Sequence, residues 1–281
     1  MKQGASETFR KLPAARGLVW IKGSWELFRR QPLRLLLISL FFQFLLGLSQ
    51  ASTLGMLVIL CLPILSAGML HAFFMVDCGA KPLLAVLFMP FTAKKSVGPL
   101  LLLGAFVMVL GLLIVTLVLA GQMVDLDPQV VSRIEQGDLD ALQLIDPQIL
   151  QSAVMAMALG AAISGCLTYF SVPLIWFKRQ AMGIALLTGL KALGRNWKPL
   201  LFIGLLLAIL TLPIALIFGS FYLAAQSGGM VSNLLAFLLL LLGPMFQVLL
   251  FGTQYLAFKD IFGMHEAVAE QGGRKADQLV A

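Results

Sequence analysis

Four runs of the chain contain no Asp, Glu, Lys or Arg: Leu35–Val76, Ser96–Val124, Pro147–Phe177 and Pro199–Phe258. A helix that crosses the hydrocarbon core of a bilayer needs about 20 apolar residues. The first and last runs have room for two such helices and the middle two for one each. The pattern predicts six spans, over about 32–50, 54–76, 98–121, 149–177, 199–223 and 232–258. The runs are rich in Leu, Ala, Met and Gly and do not alternate in polarity as barrel strands must. The expected fold is therefore an all-α polytopic membrane protein with six transmembrane helices.

The segments between the runs suggest a unit repeated three times. Two of them read GLVWIKGSWELFRRQPLRLLLI, from Gly17, and GIALLTGLKALGRNWKPLLFIG, from Gly183. Each passes through basic residues to a Pro and then becomes apolar. The middle copy, KPLLAVLFMPFTAKKSVGPLLLLG from Lys81, is interrupted by Pro90. At helical spacing, Leu18, Ile21, Trp25 and Phe28 share one face and Lys22, Glu26, Arg29 and Arg30 the other. In the later copy Leu186, Leu190, Leu193 and Trp197 oppose Lys191 and Arg195. Such helices lie in the membrane interface with the aromatic face toward the acyl chains. Trp20, Trp25, Phe28 and Trp197 are the expected interfacial anchors.

The even-numbered spans echo one another. Pro63, Gly68, His71, Phe74 and Gly79 run parallel to Pro244, Gly252, Tyr255, Phe258 and Gly263, with equal Gly-to-Gly spacing. Pro173, Trp176, Phe177 and Gly183 form a looser version. The chain divides into one interfacial helix plus transmembrane hairpin over 12–77, a second over 80–177 with an outer loop at 122–148, and a third over 178–263. A flexible tail is expected over 264–281, and the whole forms a single membrane domain.

Composition agrees with this picture. Of 281 residues 60% are hydrophobic and 12% charged, about half the charged share of a soluble domain. The distribution of charge sets the orientation. Of the 20 Lys and Arg, 19 fall on one side of a six-span layout. They are Lys2, Arg10, Lys11, Arg16, Lys22, Arg29, Arg30, Arg34, Lys81, Lys94, Lys95, Lys178, Arg179, Lys191, Arg195, Lys198, Lys259, Arg274 and Lys275. The other side holds Arg133 with Asp125, Asp127, Glu135, Asp138, Asp140 and Asp146. The positive-inside rule places the basic side, with both termini, in the cytoplasm. The net charge of +7 then reads as contact with anionic lipid. Nucleic-acid binding would want a basic, aromatic-bearing soluble domain, and none is read here. The first long apolar stretch starts too far from Met1 to serve as a secretory signal.

Chemistry is sparse. An ionisable group deep in a bilayer is costly and marks function, and the expected cores hold no Asp, Glu, Lys or Arg. Cys61, Cys78 and Cys166 form no CxxC pair and read as small buried residues. His265-Glu266 begins an HExxH motif, but Ala269 stands where the second ligand belongs. No phosphate loop or nucleophile elbow is present. Asp125 and Asp127 supply only a fragment of a calcium loop. The sequence thus calls for no catalytic residue, metal or cofactor, and for no enzyme. The uncharged polar residues within spans are Gln43, Ser66, Ser164, Thr168, Gln247, Thr253 and Gln254, suited to interhelical hydrogen bonds. Gln247, Gln254 and Tyr255, with the lone span histidine His71, are the candidates for lining a polar cavity. A small-residue stripe at Ala153, Ala156, Gly160 and Ser164 predicts that span four sits at the bundle centre. In the outer loop, Asp127-Pro128 and Asp138 read as helix starts and Gly137 as a stop.

With its W-x2-F-x3-P pattern at Trp25, Phe28 and Pro32, the arrangement resembles a group of six-span bacterial inner-membrane proteins of unknown function. More distantly, it is similar to the membrane domain that anchors some bacterial glycerophosphodiester phosphodiesterases. The soluble barrel and metal-binding carboxylates of those enzymes are not found here, so their chemistry is not carried over. The resemblance implies a bacterial inner membrane. The expectation that follows is a non-enzymatic scaffold, lipid-organising element or accessory subunit, with a protein partner or a second copy of the chain left open. The alternative is a small transporter or channel for an uncharged or lipid-like solute. A central cavity would favour the alternative.

Overall fold

The computed structural model describes residues 9–51, 55–120, 129, 132–133, 147–209 and 230–264, and all regular structure among them is helical. Helix α1 (Arg16–Arg30) meets α2 (Pro32–Ala51) at a bend of 104°. Gln31 makes the corner, with φ −144° and ψ 60°. A residue before proline is pushed out of the helical region, and Pro32 is pre-set for the first turn of the next helix. Arg29 and Arg30 occupy the last turn of α1, where cations favour the helix dipole. A second corner, of 79°, separates Met182–Arg195 from Trp197–Ile209. Between these two, the middle copy is a 3-10 turn, Leu84–Phe88, and a one-turn helix α4, Met89–Thr92. Pro90 falls in the first turn of α4, so this lead-in is two short pieces rather than one long helix.

The long helices are α3 (Gly55–Asp77), α5 (Lys94–Leu119), α6 (Pro147–Lys178) and, after the bent pair α7 (Met182–Arg195) and α8 (Trp197–Ile209), α9 (Met230–Phe262). Three of the described helices, α3, α5 and α6, are long and apolar enough to cross a membrane, and the number of such spans rises to five if each bent pair counts as one. The outward surface suits that: Leu33, Phe44, Met56, Leu102, Val109, Met155 and Leu205 are all exposed. Apolar cover of this extent on a monomer marks contact with something other than water.

Helix α3 is the hub. It touches α2, α5, α6 and α9, and 56% of its span is buried, against 17% for α6 and 11% for α5. The small residues of α6 do not put it at the centre of the described bundle. They bring it close to α5 instead, with Gly160 facing Gly111. Helix α1 packs along α9 and reaches α3. Its buried residues are Gly17, Trp20, Ser24, Leu27 and Phe28, so the aromatic side is divided between the protein and the exterior. The close approach depends on Gly252, where a Cβ would run into Ser24 Oγ and Phe73. The outer-loop helix signals at Asp127, Pro128, Gly137 and Asp138, the second half of the expected 199–223 span, and the tail with His265 and Glu266 lie outside the described residues.

Candidate functional site

Helices α3, α6 and α9 each carry an internal proline, Pro63, Pro173 and Pro244. Their C-terminal ends converge: Lys178 Nζ donates to Phe262 O at 3.0 Å, and Lys259 Nζ lies 2.6 Å from Asp77 Oδ2. Each of these helices is followed by a residue with positive φ: Gly79 at 73°, Arg179 at 54° and Gly263 at 71°. That geometry closes a helix end on its own carbonyls. In the middle case an arginine adopts it where the sequence echo had aligned Gly183.

Inward of these ends lies a cavity of about 770 Å³. Its walls come from α2, α3, α5, α6 and α9. They include Phe42, Leu62, Pro63, Val107, Tyr169 and Phe251 together with Gln43, Ser66, Ser164, Thr168, Gln247 and Gln254. Six of the seven uncharged polar residues found within the expected spans therefore meet around one space. Thr253 is the exception; it is buried off the cavity, and its hydroxyl has no partner among the described residues. On α9 the lining positions Gly243, Phe246, Gln247, Leu250, Phe251 and Gln254 follow the three- and four-residue steps of one helix face.

The two glutamines are half-engaged. Ser39 Oγ lies 2.8 Å from Gln247 Oε1 and 2.9 Å from Pro244 O, sharing its proton between them. Gln254 Nε2 donates to Tyr169 O at 2.6 Å. An amide has four hydrogen-bonding positions, so each side chain is oriented by the protein and keeps capacity for an occupant. Among the described residues no charged side chain lines the cavity. Such a space favours a largely apolar molecule with a few neutral polar groups, because a charge would enter without a counter-ion.

Tyr255 and His71 lie below the cavity rather than in its wall. Tyr255 is fully buried and donates from its hydroxyl to Asp77 Oδ2 at 2.7 Å. Neighbouring helix residues are about 100° apart, so Tyr255 cannot share the direction of Gln254. His71 Nδ1 accepts from Trp176 Nε1 at 3.3 Å, with the rings edge-on. Phe74, Phe177, Phe258 and Phe262 continue this layer, at centroid distances of 4.9–5.7 Å. An aromatic floor thus separates the cavity from the polar helix ends.

Two acidic residues anchor that end. Asp77 takes Lys259 and Tyr255. Asp260, 9% exposed, accepts from Arg16 Nε at 3.0 Å and from Trp20 Nε1 at 2.7 Å. Arg179 donates to Ser96 Oγ and covers the Trp176 ring at 4.8 Å. Asn196, at the α7–α8 corner, accepts from Leu12 N at 2.8 Å and donates to Arg10 O at 3.0 Å, which pins the chain ahead of α1. Of the expected anchors, Trp20 is 2% exposed and Phe28 buried, both held inside by α9 and its neighbours. Trp25 is 39% and Trp197 54% exposed.

Sequence reasoning missed Asp77 and Asp260. Each follows a charge-free run by one or two positions, at the end of an expected span. That position, an acid directly at the edge of an apolar run, is the signal available without coordinates. Among the described residues no three His, Cys, Asp or Glu are grouped to hold a metal ion. Comparison with protein-family models, with curated proteins and with solved structures finds no match to this chain.

Proposed function

We propose that this chain is a six-span, non-enzymatic protein of a bacterial inner membrane that takes an uncharged or lipid-like solute into its central cavity and passes it across or along the bilayer. The observation that carries the reading is the cavity of about 770 Å³ ringed by uncharged amides and hydroxyls. Sites for small molecules are typically about 300–1,000 Å³, mostly apolar, with a few fixed polar groups. The prolines of α3, α6 and α9 interrupt backbone hydrogen bonding, and Pro63 itself lines the cavity. The proposed likeness to six-span inner-membrane proteins and to phosphodiesterase membrane anchors belongs with this reading but does not carry it.

The experiment is flux in liposomes holding the purified full-length chain. One probe is NBD-labelled diacylglycerol, read by dithionite quenching. The other is glycerol, read by stopped-flow light scattering. Flux of one probe is expected above empty liposomes, with a loss of about tenfold in Gln247→Leu/Gln254→Leu, as two neutral hydrogen bonds at about 0.6 kcal/mol each would give. Flux unchanged in that variant would remove the glutamines from the path. No flux of either probe would turn the assignment to a scaffold or accessory subunit. The exposed Trp25 and Trp197 beside the two bends are the observation that favours that second reading, through contact with anionic lipid.

A further inference from the structure

A second concavity, of about 1040 Å³, lies on the outer face of the bundle. One wall is the exposed side of α2, with Leu37, Phe44 and Gly47. The other is the stretch Pro82–Leu84 that follows α3. Two contacts hold the walls together. Arg34 donates from a terminal nitrogen to Pro82 O at 3.3 Å, and Phe41 meets Phe88 edge-on at 6.0 Å. Leu33, Leu37, Phe44, Leu83 and Leu84 are all exposed, so the groove is greasy along its length and open to the surroundings.

Its polarity is confined to two places. Arg34 stands at one end, one residue before the charge-free run begins, and it is half-buried. Guanidinium has five N–H donors, and Pro82 O takes one. The planar fork that remains suits a phosphate diester. Exposed Lys81 adds positive charge at the same end. From Arg34 to Gly47 the helix rises about 20 Å. Half the hydrocarbon thickness is about 15 Å, so one acyl chain beneath a headgroup fits between these two residues. Gln43 is the second polar point, and it lines both this groove and the central cavity. Its amide rests on Gly243 of α9, where a Cβ would meet Nε2 at 2.9 Å.

We infer that the groove is a binding site for one anionic phospholipid, its phosphate held by Arg34 and its acyl chain lying along α2 toward Gln43. Charge complementarity at one end and apolar length at the other select this occupant. A free phosphate would leave the groove empty, and a zwitterionic lipid would bring a cation against Arg34 and Lys81. The site stands whatever occupies the central cavity, so failure of the flux assay leaves it intact. Its lipid would lie against Gln43, the side chain common to both spaces.

The test is lipid titration of the full-length chain in detergent, read by native mass spectrometry. Probes are phosphatidylglycerol, phosphatidylcholine of the same chain length, and glycerol phosphate without chains. Wild type is expected to hold one phosphatidylglycerol more tightly than the rest. Arg34→Gln should weaken that site about tenfold, the scale of one charge-assisted hydrogen bond, while Arg34→Lys keeps most of it. Gly47→Phe should also weaken it by filling the groove; nothing lies within 4 Å of a Cβ there, so the fold has room. Lys191→Gln, on the exposed side of α7, should leave it unchanged. Equal weakening in Arg34→Gln and Lys191→Gln would reduce the effect to diffuse surface charge and overturn the site. So would an unaffected Gly47→Phe, equal binding of phosphatidylcholine, or displacement of the lipid by glycerol phosphate.

Discussion

Asp260 joins parts of the chain that are far apart in sequence, through Arg16 at 2.5 Å and Trp20 at 2.7 Å. Removing one partner of a buried charge pair strands the other, at about 3–5 kcal/mol when both are fully enclosed. Here the Arg16 side chain is 41% exposed, so solvent recovers part of the loss. Asp260→Ala should therefore cost about 2 kcal/mol and lower the midpoint of thermal unfolding in detergent by about 5 °C. Asp260→Asn, which keeps an acceptor for Trp20, should fall between. A melting curve for Asp260→Ala that overlays wild type would mean the pair contributes nothing. The carboxylates were hard to read in the sequence because their partners lie 182 and 244 residues away. The cavity residues were easier. A Gln or Ser in an apolar run needs a reason, and Gln247 and Gln254, two helical turns apart, face one way. Tyr255 looked equivalent only as a polar neighbour; its angle on α9 sends it to Asp77 instead.

At the scale of elements, the helix limits were legible because a bilayer imposes them. The expected 32–50, 54–76 and 149–177 correspond to helices Pro32–Ala51, Gly55–Asp77 and Pro147–Lys178. Charge absence, rather than helical periodicity, carried those limits. What α1 packs against was less legible. Its pattern gives an apolar face, but lipid and a neighbouring helix look alike to that face. The small residues decide between them, since Gly252 and Ser24 let α1 and α9 meet, with Ser24 Oγ donating to Leu249 O at 3.1 Å. Gly252→Ala should push α1 off α9, lowering stability by about 1–3 kcal/mol as overpacking does. Ser24→Gly removes the nearest obstruction, although Phe73 remains 2.8 Å from the added Cβ. The double variant should therefore recover part of the loss, with a coupling of about 1 kcal/mol in unfolding measurements. Strict additivity would mean that the two residues do not oppose each other. Faster hydrogen exchange in α1, with a smaller rise around Phe73 of α3, should accompany the single Gly252→Ala change.

At the scale of the molecule, the parts that meet are those the charge pattern puts on one side. Arg16, Arg34, Lys178, Arg179, Asn196 and Lys259 all take part in described contacts near the converging C-terminal ends of α3, α6 and α9 or at the starts of α2 and α8. The proposed six-span arrangement puts the acidic stretch from Asp125 to Asp146 on the opposite side. In that arrangement 19 of the 20 basic residues fall on the other side, the bias that the positive-inside rule reads as cytoplasmic. Alkaline phosphatase fused after Asp138 reports on this directly, because its disulfides form only in an oxidising compartment. That fusion should be active, and one after Gly263 inactive, while a green fluorescent protein fused at the same two places should give the reverse pattern. Moving the bias should move the answer. Replacing Arg29, Arg30 and Arg34 with Gln removes about 3 kcal/mol of attraction to an anionic leaflet, yet the remaining basic residues should still hold the orientation. An inactive fusion after Asp138 in the wild-type background would put the acidic loop with the basic ends, and a six-span arrangement would no longer describe the chain.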